Sequence, residues 1–284
     1  MEPWERGVVQ SDFLIHWTGI DIDNKVQPDW HKDHRLRVSD EASERYLKRL
    51  GDILEFGLWM TVDKPQEQFT VAGRIVTPPP TPRCCFTELK LSESTKHARQ
   101  FGRLGIGVKR PFLFNRYGRP LTYVGFTGQN HQDRFLEACA TQLTDERLLN
   151  FFKPMNRDIN ALTYDLYAES EWRLLFFEEL LDKGLIIDPR DTKNKKEHAY
   201  FERLSEEEQL KLHYLVPLDG WFAMIVYPAL RTKNAAQWER EGRVVKEIER
   251  IKTVDEHANR VEGLKNPTRG NWPIELNLSA AQHF

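Results

Sequence analysis

The chain has 284 residues, of which 40% are hydrophobic and 30% charged, and its formal net charge is −2. This composition excludes a disordered chain, and the near balance of charge excludes a global field that would draw the protein to nucleic acid or anionic lipid. No apolar stretch approaches the ~18 residues of a membrane helix, the opening residues are charged and unlike a signal peptide, and the cysteines are few and odd in number (Cys84, Cys85, Cys139); a cytoplasmic protein without a membrane partner is the expectation.

In chain order, residues 13–18 alternate as a strand, with Phe13, Ile15 and Trp17 on one face and Leu14, His16 and Thr18 on the other. A polar loop is expected from Asp21 to Arg37. Ser39 and Asp40 then offer caps to a helix whose Tyr46, Leu47, Leu50, Ile53 and Leu54 recur at helical spacing and which stops at Gly57. Residues 69–76 predict a strand or hairpin arm, 77–82 an extended proline run, 84–89 a short strand and 94–101 a helical turn. The glycines at 102, 105 and 107 predict a tight, ordered loop that could bring backbone close to a ligand. A strand is expected at 120–124, a long amphipathic helix at about 131–152, and a strand at 168–176. Residues 189–213 are highly charged and predict exposed loop and helix. The apolar run 221–227 predicts a central strand, 234–263 a surface helix and 272–278 a closing strand. The expected organisation is one domain over 1–284, with a core at 1–188 and a charged helical elaboration at 189–284 that returns the strands 221–227 and 272–278 to that core.

Two strands carry groups with chemical potential. An imidazole and a hydroxyl two residues apart, His16 and Thr18, can hydrogen-bond a ribose diol or a phosphate; the same histidine can equally be a satisfied, half-buried core group. Alternation over 168–176 places Glu169, Glu171 and Arg173 on one face. Two carboxylates about 7 Å apart along a strand raise each other's pKa, and such a pair suits departure of a glycosidic leaving group; the alternative is the solvent face of an amphipathic strand. Arg103, Lys109 and Arg110, with Arg116 and Arg119, form a basic cluster able to hold the phosphates of NAD or of a nucleic acid, or simply to face solvent. A metal held by His31, Asp33 and His34, and a thiolate at Cys85 paired with His97, are weaker rivals; no metal is expected.

Taken in order, residues 11–19, the Tyr46–Gly57 helix, residues 85–89, His97 through Gly107, Pro120–Val124 and residues 169–173 resemble the abortive-infection family AbiGi of bacterial phage-defence loci. The likeness covers roughly residues 11–176. The layout is similar, more distantly, to ADP-ribosyltransferases, above all those that act on DNA. These begin with a His-x-Thr strand, continue with a helix ending near Gly-Leu and carry a glutamate on a later strand; His16, Thr18, Gly57-Leu58 and Glu171 occupy those places. The resemblance implies an α+β fold with a split, mixed or antiparallel sheet of ADP-ribosyltransferase type and flanking helices. It implies NAD as co-substrate, with His16 and Thr18 binding it, Phe86 or Tyr123 packing by the nicotinamide, Glu171 as the catalytic residue and Glu169 directed at the acceptor, a nucleic acid or a protein. The function implied is that of an anti-phage toxin neutralised by a cognate antitoxin. The alternative is the non-catalytic antitoxin half of such a pair, with the charged surface of 189–263 as its contact. The transferase reading requires that the His16 imidazole and the Glu171 carboxylate look into a shared hollow large enough for NAD.

Overall fold

A computed structural model describes residues 13–33, 35–62, 69–71, 74–88, 91–124, 134–154, 170–218, 221–238 and 274–281. Strand β1 (Phe13–Thr18) turns at Gly19 directly into helix α1 (Ile20–Val26), and a 3-10 turn follows at Trp30–Lys32. The expected loop over 21–37 is thus partly helical. A seven-residue helix is marginal by itself; this one is held by its neighbours, since Asp23 is 1% exposed and bonds both Arg103 and the Tyr46 hydroxyl.

Helix α2 (Asp40–Phe56) is capped as its sequence predicts. The Ser39 hydroxyl accepts from the Ala42 amide at 3.2 Å, and Gly57 ends the helix at φ 104°. Tyr46, Leu50, Ile53 and Leu54 form its buried face. After Gly57 the chain enters β2 (Leu58–Thr61), an element that the pattern did not suggest. The hairpin β3–β4 (Phe69–Val71 and Arg74–Val76), β5 (Cys84–Thr87) and α3 (Ser94–Phe101) match expectation.

The glycine-rich stretch is not a loop but β6 (Leu104–Lys109), a central strand. Its glycines are required by packing: a Cβ at Gly105 would press on Ile15, Trp17 and Val226, and one at Gly107 on Met224. Next come α4 (Pro111–Phe114), β7 (Arg119–Pro120) and β8 (Thr122–Val124). The long helix expected at 131–152 is broken. Helix α5 spans Arg134–Gln142, and Asp145 then caps a separate 3-10 turn, Glu146–Phe151, by accepting from the Arg147 amide. The rest of the described chain runs through β9 (Phe152–Pro154), β10 (Glu171–Leu174), α6 (Phe177–Asp182), α7 (Lys195–Phe201), α8 (Glu206–Lys211), β11 (Leu212–Val216), β12 (Phe222–Tyr227), α9 (Leu230–Trp238), β13 (Ile274–Asn277) and a last helical turn, Leu278–Ala281. Of the surface helix expected over 234–263, the part beyond Trp238 lies outside the described residues.

The architecture is α+β. Seven strands form one mixed sheet in the order β13-β12-β6-β1-β5-β10-β7, antiparallel throughout except for β12 beside β13. Strands β12 and β13, both late in the chain, lie at one end of this sheet. A main core of Leu14, Tyr46, Leu50, Phe86, Ile106, Trp172 and Ile225 lies between one face and α2. Ile15, Trp17, Ala98, Met224 and Val226 pack on the other face, against α3 and the last turn. Strands β2 and β11 make a separate two-stranded sheet. Among the described residues, no helix is long and apolar enough to cross a membrane.

Candidate functional site

The site is created by a split in the main sheet. Along β5, residues 84 and 86 and the following Glu88 turn their backbone groups toward β10, with the Glu88 amide donating to Ser170 O at 3.1 Å. The odd positions turn to the other edge. Among the described residues, β1 pairs there at one position, Ile15 opposite Thr87. At the far end of the same edge Arg83 exchanges two backbone hydrogen bonds of 2.9 Å with Thr61 of β2. Strands β1 and β2 thus leave β5 in different directions. In the gap between them the His16 ring reaches the Cys85 carbonyl, with Nδ1 at 2.8 Å.

This gap opens into a cleft of about 1040 Å³. His16, Thr18, Phe86, Lys153, Glu171 and Arg173 all line it, with α2 contributing from one side of the sheet and His97, Gln100 and Phe101 of α3 from the other. Cross-strand partners share a face, so the register Ile15–Thr87–Glu171 puts Glu171 on the α3 face, while His16 lies with Leu14 on the α2 face. The two groups therefore sit on opposite faces of the sheet, and it is the split that lets both border one hollow. Alternation along each strand could show neither the intervening β5 nor the gap.

A carbonyl can only accept, so His16 carries its proton on Nδ1 and leaves Nε2 as an acceptor. Burial lowers the His16 pKa below 6.5, the Cys85 bond opposes this and the Arg49 charge adds to it; the ring is neutral at neutral pH. Phe86 meets it edge-on at 5.8 Å between centroids. Thr18 Oγ1 lies 3.5 Å from Arg49, which forms a two-pronged pair with Asp21 at 2.8 and 2.7 Å.

Glu171 is 8% exposed and held by two cations. Arg173 Nε donates to Oε1 at 2.6 Å, while Oε2 accepts from Lys153 Nζ at 2.8 Å and from Arg173 Nη2 at 3.2 Å. Its backbone amide donates to the Tyr123 hydroxyl at 2.9 Å, and Ser170 before it has φ 43°, an uncommon conformation for a residue with a side chain. Burial works to raise the Glu171 pKa, but Arg173 and Lys153 overcome it and hold the carboxyl well below the usual carboxylate range. The expected mutual elevation by Glu169 is therefore not what governs Glu171; Glu169 itself lies outside the described residues, as does His34. His97, 2% exposed, is pushed by burial down to about 4.

Other expected ligands do not reach the cleft. Arg103 is fully buried elsewhere, bonding Asp23 at 2.9 and 2.7 Å and lying over the Trp30 ring at 4.8 Å. Burying an unpaired guanidinium is costly, so its pairing is structural. Lys109 ends β6 opposite Phe13, the end of β1 remote from Thr18, and does not line the cleft. Tyr123 also does not line it and acts through the Glu171 backbone, which leaves Phe86, itself 2% exposed and part of the main core, as the one of the expected two that borders the cleft. Conversely, Arg49, Arg83, Lys153, Trp59 and Tyr200 were not singled out and do line it. Among the described residues the lining carries nine Lys or Arg against five Asp or Glu, in a chain of net charge −2. Such a lining suits a ligand with phosphates. Among the described residues no group of three His, Cys, Asp or Glu could hold a metal ion.

No protein-family model, no curated protein and no solved structure matches the chain.

Proposed function

We propose that the split cleft binds NAD and that the protein transfers its ADP-ribosyl group, as an anti-phage toxin of the AbiGi kind. The observation that carries this reading is that His16, Phe86 and Glu171 border one cation-rich cleft of about 1040 Å³, at the upper end of the range of small-molecule sites. The neutral His16 Nε2 offers an acceptor to a ribose hydroxyl, and Arg49 and Arg83 offer charge to a pyrophosphate. Glu171 stays ionised at any physiological pH; Oε2 accepts from both Lys153 and Arg173, and Oε1, which accepts from Arg173 Nε, has a second lone pair to offer. It can thus accept from a hydroxyl of the ribose that reacts. The same two cations weaken the field it exerts on developing positive charge, so holding the ribose is its larger contribution. In the transfer, the C1′–N bond breaks with its electron pair leaving on nicotinamide, the acceptor's lone pair forms the new bond to C1′, and the acceptor's proton passes to solvent.

The test is to incubate the purified protein with labelled NAD and DNA, RNA or lysate. Wild type labels an acceptor, and Glu171→Gln lowers turnover by a factor on the order of a hundred or more. Equal labelling by both proteins, or by neither, overturns the enzyme reading.

One observation favours a second reading. Both Glu171 oxygens are already engaged by Arg173 and Lys153, as in a purely structural ion cluster. A non-catalytic antitoxin or binding partner in a two-gene system would then keep full function, and its co-purifying partner, after Glu171→Gln.

A further inference from the structure

Part of the cleft lining is aromatic, and it is built by β2 together with α7 and α8, which are distant along the chain from β1. Trp59 and Thr61 are half-buried on β2, while their neighbours Leu58 and Met60 turn into the core. Tyr200 of α7 stacks flat on the buried Phe56 ring, with centroids 4.1 Å apart and planes 1° apart. The Trp59 indole lies 6.0 Å from the Tyr200 ring at 29°. Phe56 thus backs the Tyr200 ring, and Trp59 and Tyr200 both line the cleft. Arg203, in the turn between these two helices, and Lys211 of α8 join the lining, as do Arg49 and Arg83.

β1 and β2 meet the same edge of β5 at Thr87 and Arg83. Four residue steps along β5, about 13 Å at ~3.3 Å per residue, separate those points, and the cleft opens between them. Its lining offers an imidazole and a hydroxyl from β1, a supported aromatic surface from β2 and α7, and cations. A ligand with two aromatic rings and anionic groups matches that lining in chemistry and charge.

We infer that Trp59 and Tyr200 form a stacking subsite for a second heteroaromatic base, the adenine of a dinucleotide, separate from the Phe86 position at the reacting end. This rests on the NAD reading for the identity of the ligand. Stacking on such rings tolerates different bases, because each presents a π face, whereas the flanking cations require a phosphate.

Calorimetric titration of the full chain with AMP and with nicotinamide mononucleotide tests the subsite. Trp59→Leu and Tyr200→Ala should each weaken AMP by about tenfold, Trp59→Phe should retain most of the affinity, and nicotinamide mononucleotide should change less than about twofold in all three. The Leu and Phe variants at Trp59 differ in the ring alone, so their contrast separates stacking from folding. The inference is overturned if AMP fails to bind wild type, if Trp59→Leu binds AMP as wild type does, or if both mononucleotides weaken alike. Failure here with Glu171-dependent labelling intact removes the subsite only; intact AMP stacking without labelling removes the transferase reading only.

Discussion

Asp23–Arg103 and Glu171–Arg173–Lys153 are both acid–base clusters taken out of water, yet they serve different ends. The first is closed. Its side chains are 0% and 1% exposed, the Tyr46 hydroxyl joins Asp23 to Gly19 O and the Arg103 amide, and Trp30 covers the guanidinium. A Cβ at Gly102 would collide with the Gly19–Ile20 backbone, so the cluster and the Gly19 turn are locked together. It fixes where β1 ends and α1 begins, and hence where Thr18 stands. The second cluster borders a cleft, and its carboxylate is partly open to it. Local chemistry is nearly the same in both; what separates them is whether anything else can approach.

The comparison is most strongly tested by removing one partner from the closed pair. Arg103→Met strands Asp23 and should lower unfolding free energy by about 3–5 kcal/mol in urea denaturation; a loss below about 1 kcal/mol would mean the pair is not a keystone. Glu171→Gln should show the opposite balance, with transfer activity down about a hundredfold and a smaller stability loss than Arg103→Met in the same urea series. His97, next to the open cluster, supplies a pH signature. Its folded pKa of about 4 lies below the ordinary 6.5, so the unfolded chain takes up a proton that the folded chain does not, and stability falls as pH drops from 6.5 toward 4. Between pH 7 and 5 this amounts to about 2 kcal/mol, read as the difference in urea midpoints between wild type and His97→Gln. Glu171 acts in a lower window, where its contribution is lost as pH falls below the unfolded carboxylate value. The smallest effect belongs to the helix that serves the closed cluster through Tyr46 and the cleft through Arg49. Ser39→Ala removes its cap and should cost about 1 kcal/mol by thermal denaturation, with no change in labelling per folded molecule.

What the sequence made legible was local. Alternation put Glu171 and Arg173 on one face and grouped His16 with Thr18, and Ser39 and Gly57 marked the ends of α2, because those signals lie within a few residues. The strand β6 was hidden, since its glycines weaken any strand signal and make sense only under the side chains of Ile15, Trp17 and Met224. Helix α1 was hidden because Tyr46 and Arg103 hold its Asp23 from 23 and 80 residues away. Arg103 was misassigned for the same reason: a basic residue beside glycines looks like a phosphate ligand until its acid partner, 80 residues distant, is known. Lys153, Arg83 and Trp59 lie in unremarkable contexts and acquire importance only when β9, β5 and β2 converge. The cleft itself is a gap between strands, and no residue pattern encodes a gap.

The bond from His16 to the Cys85 carbonyl has one more consequence. An unmet backbone acceptor on a strand edge invites a neighbouring strand to zip onto it. By satisfying that acceptor with a ring, the protein puts a spacer between β1 and β5. Replacing His16 with an aliphatic residue would therefore do more than delete a hydrogen-bonding group: it would remove the prop and let the two strands close over the cleft.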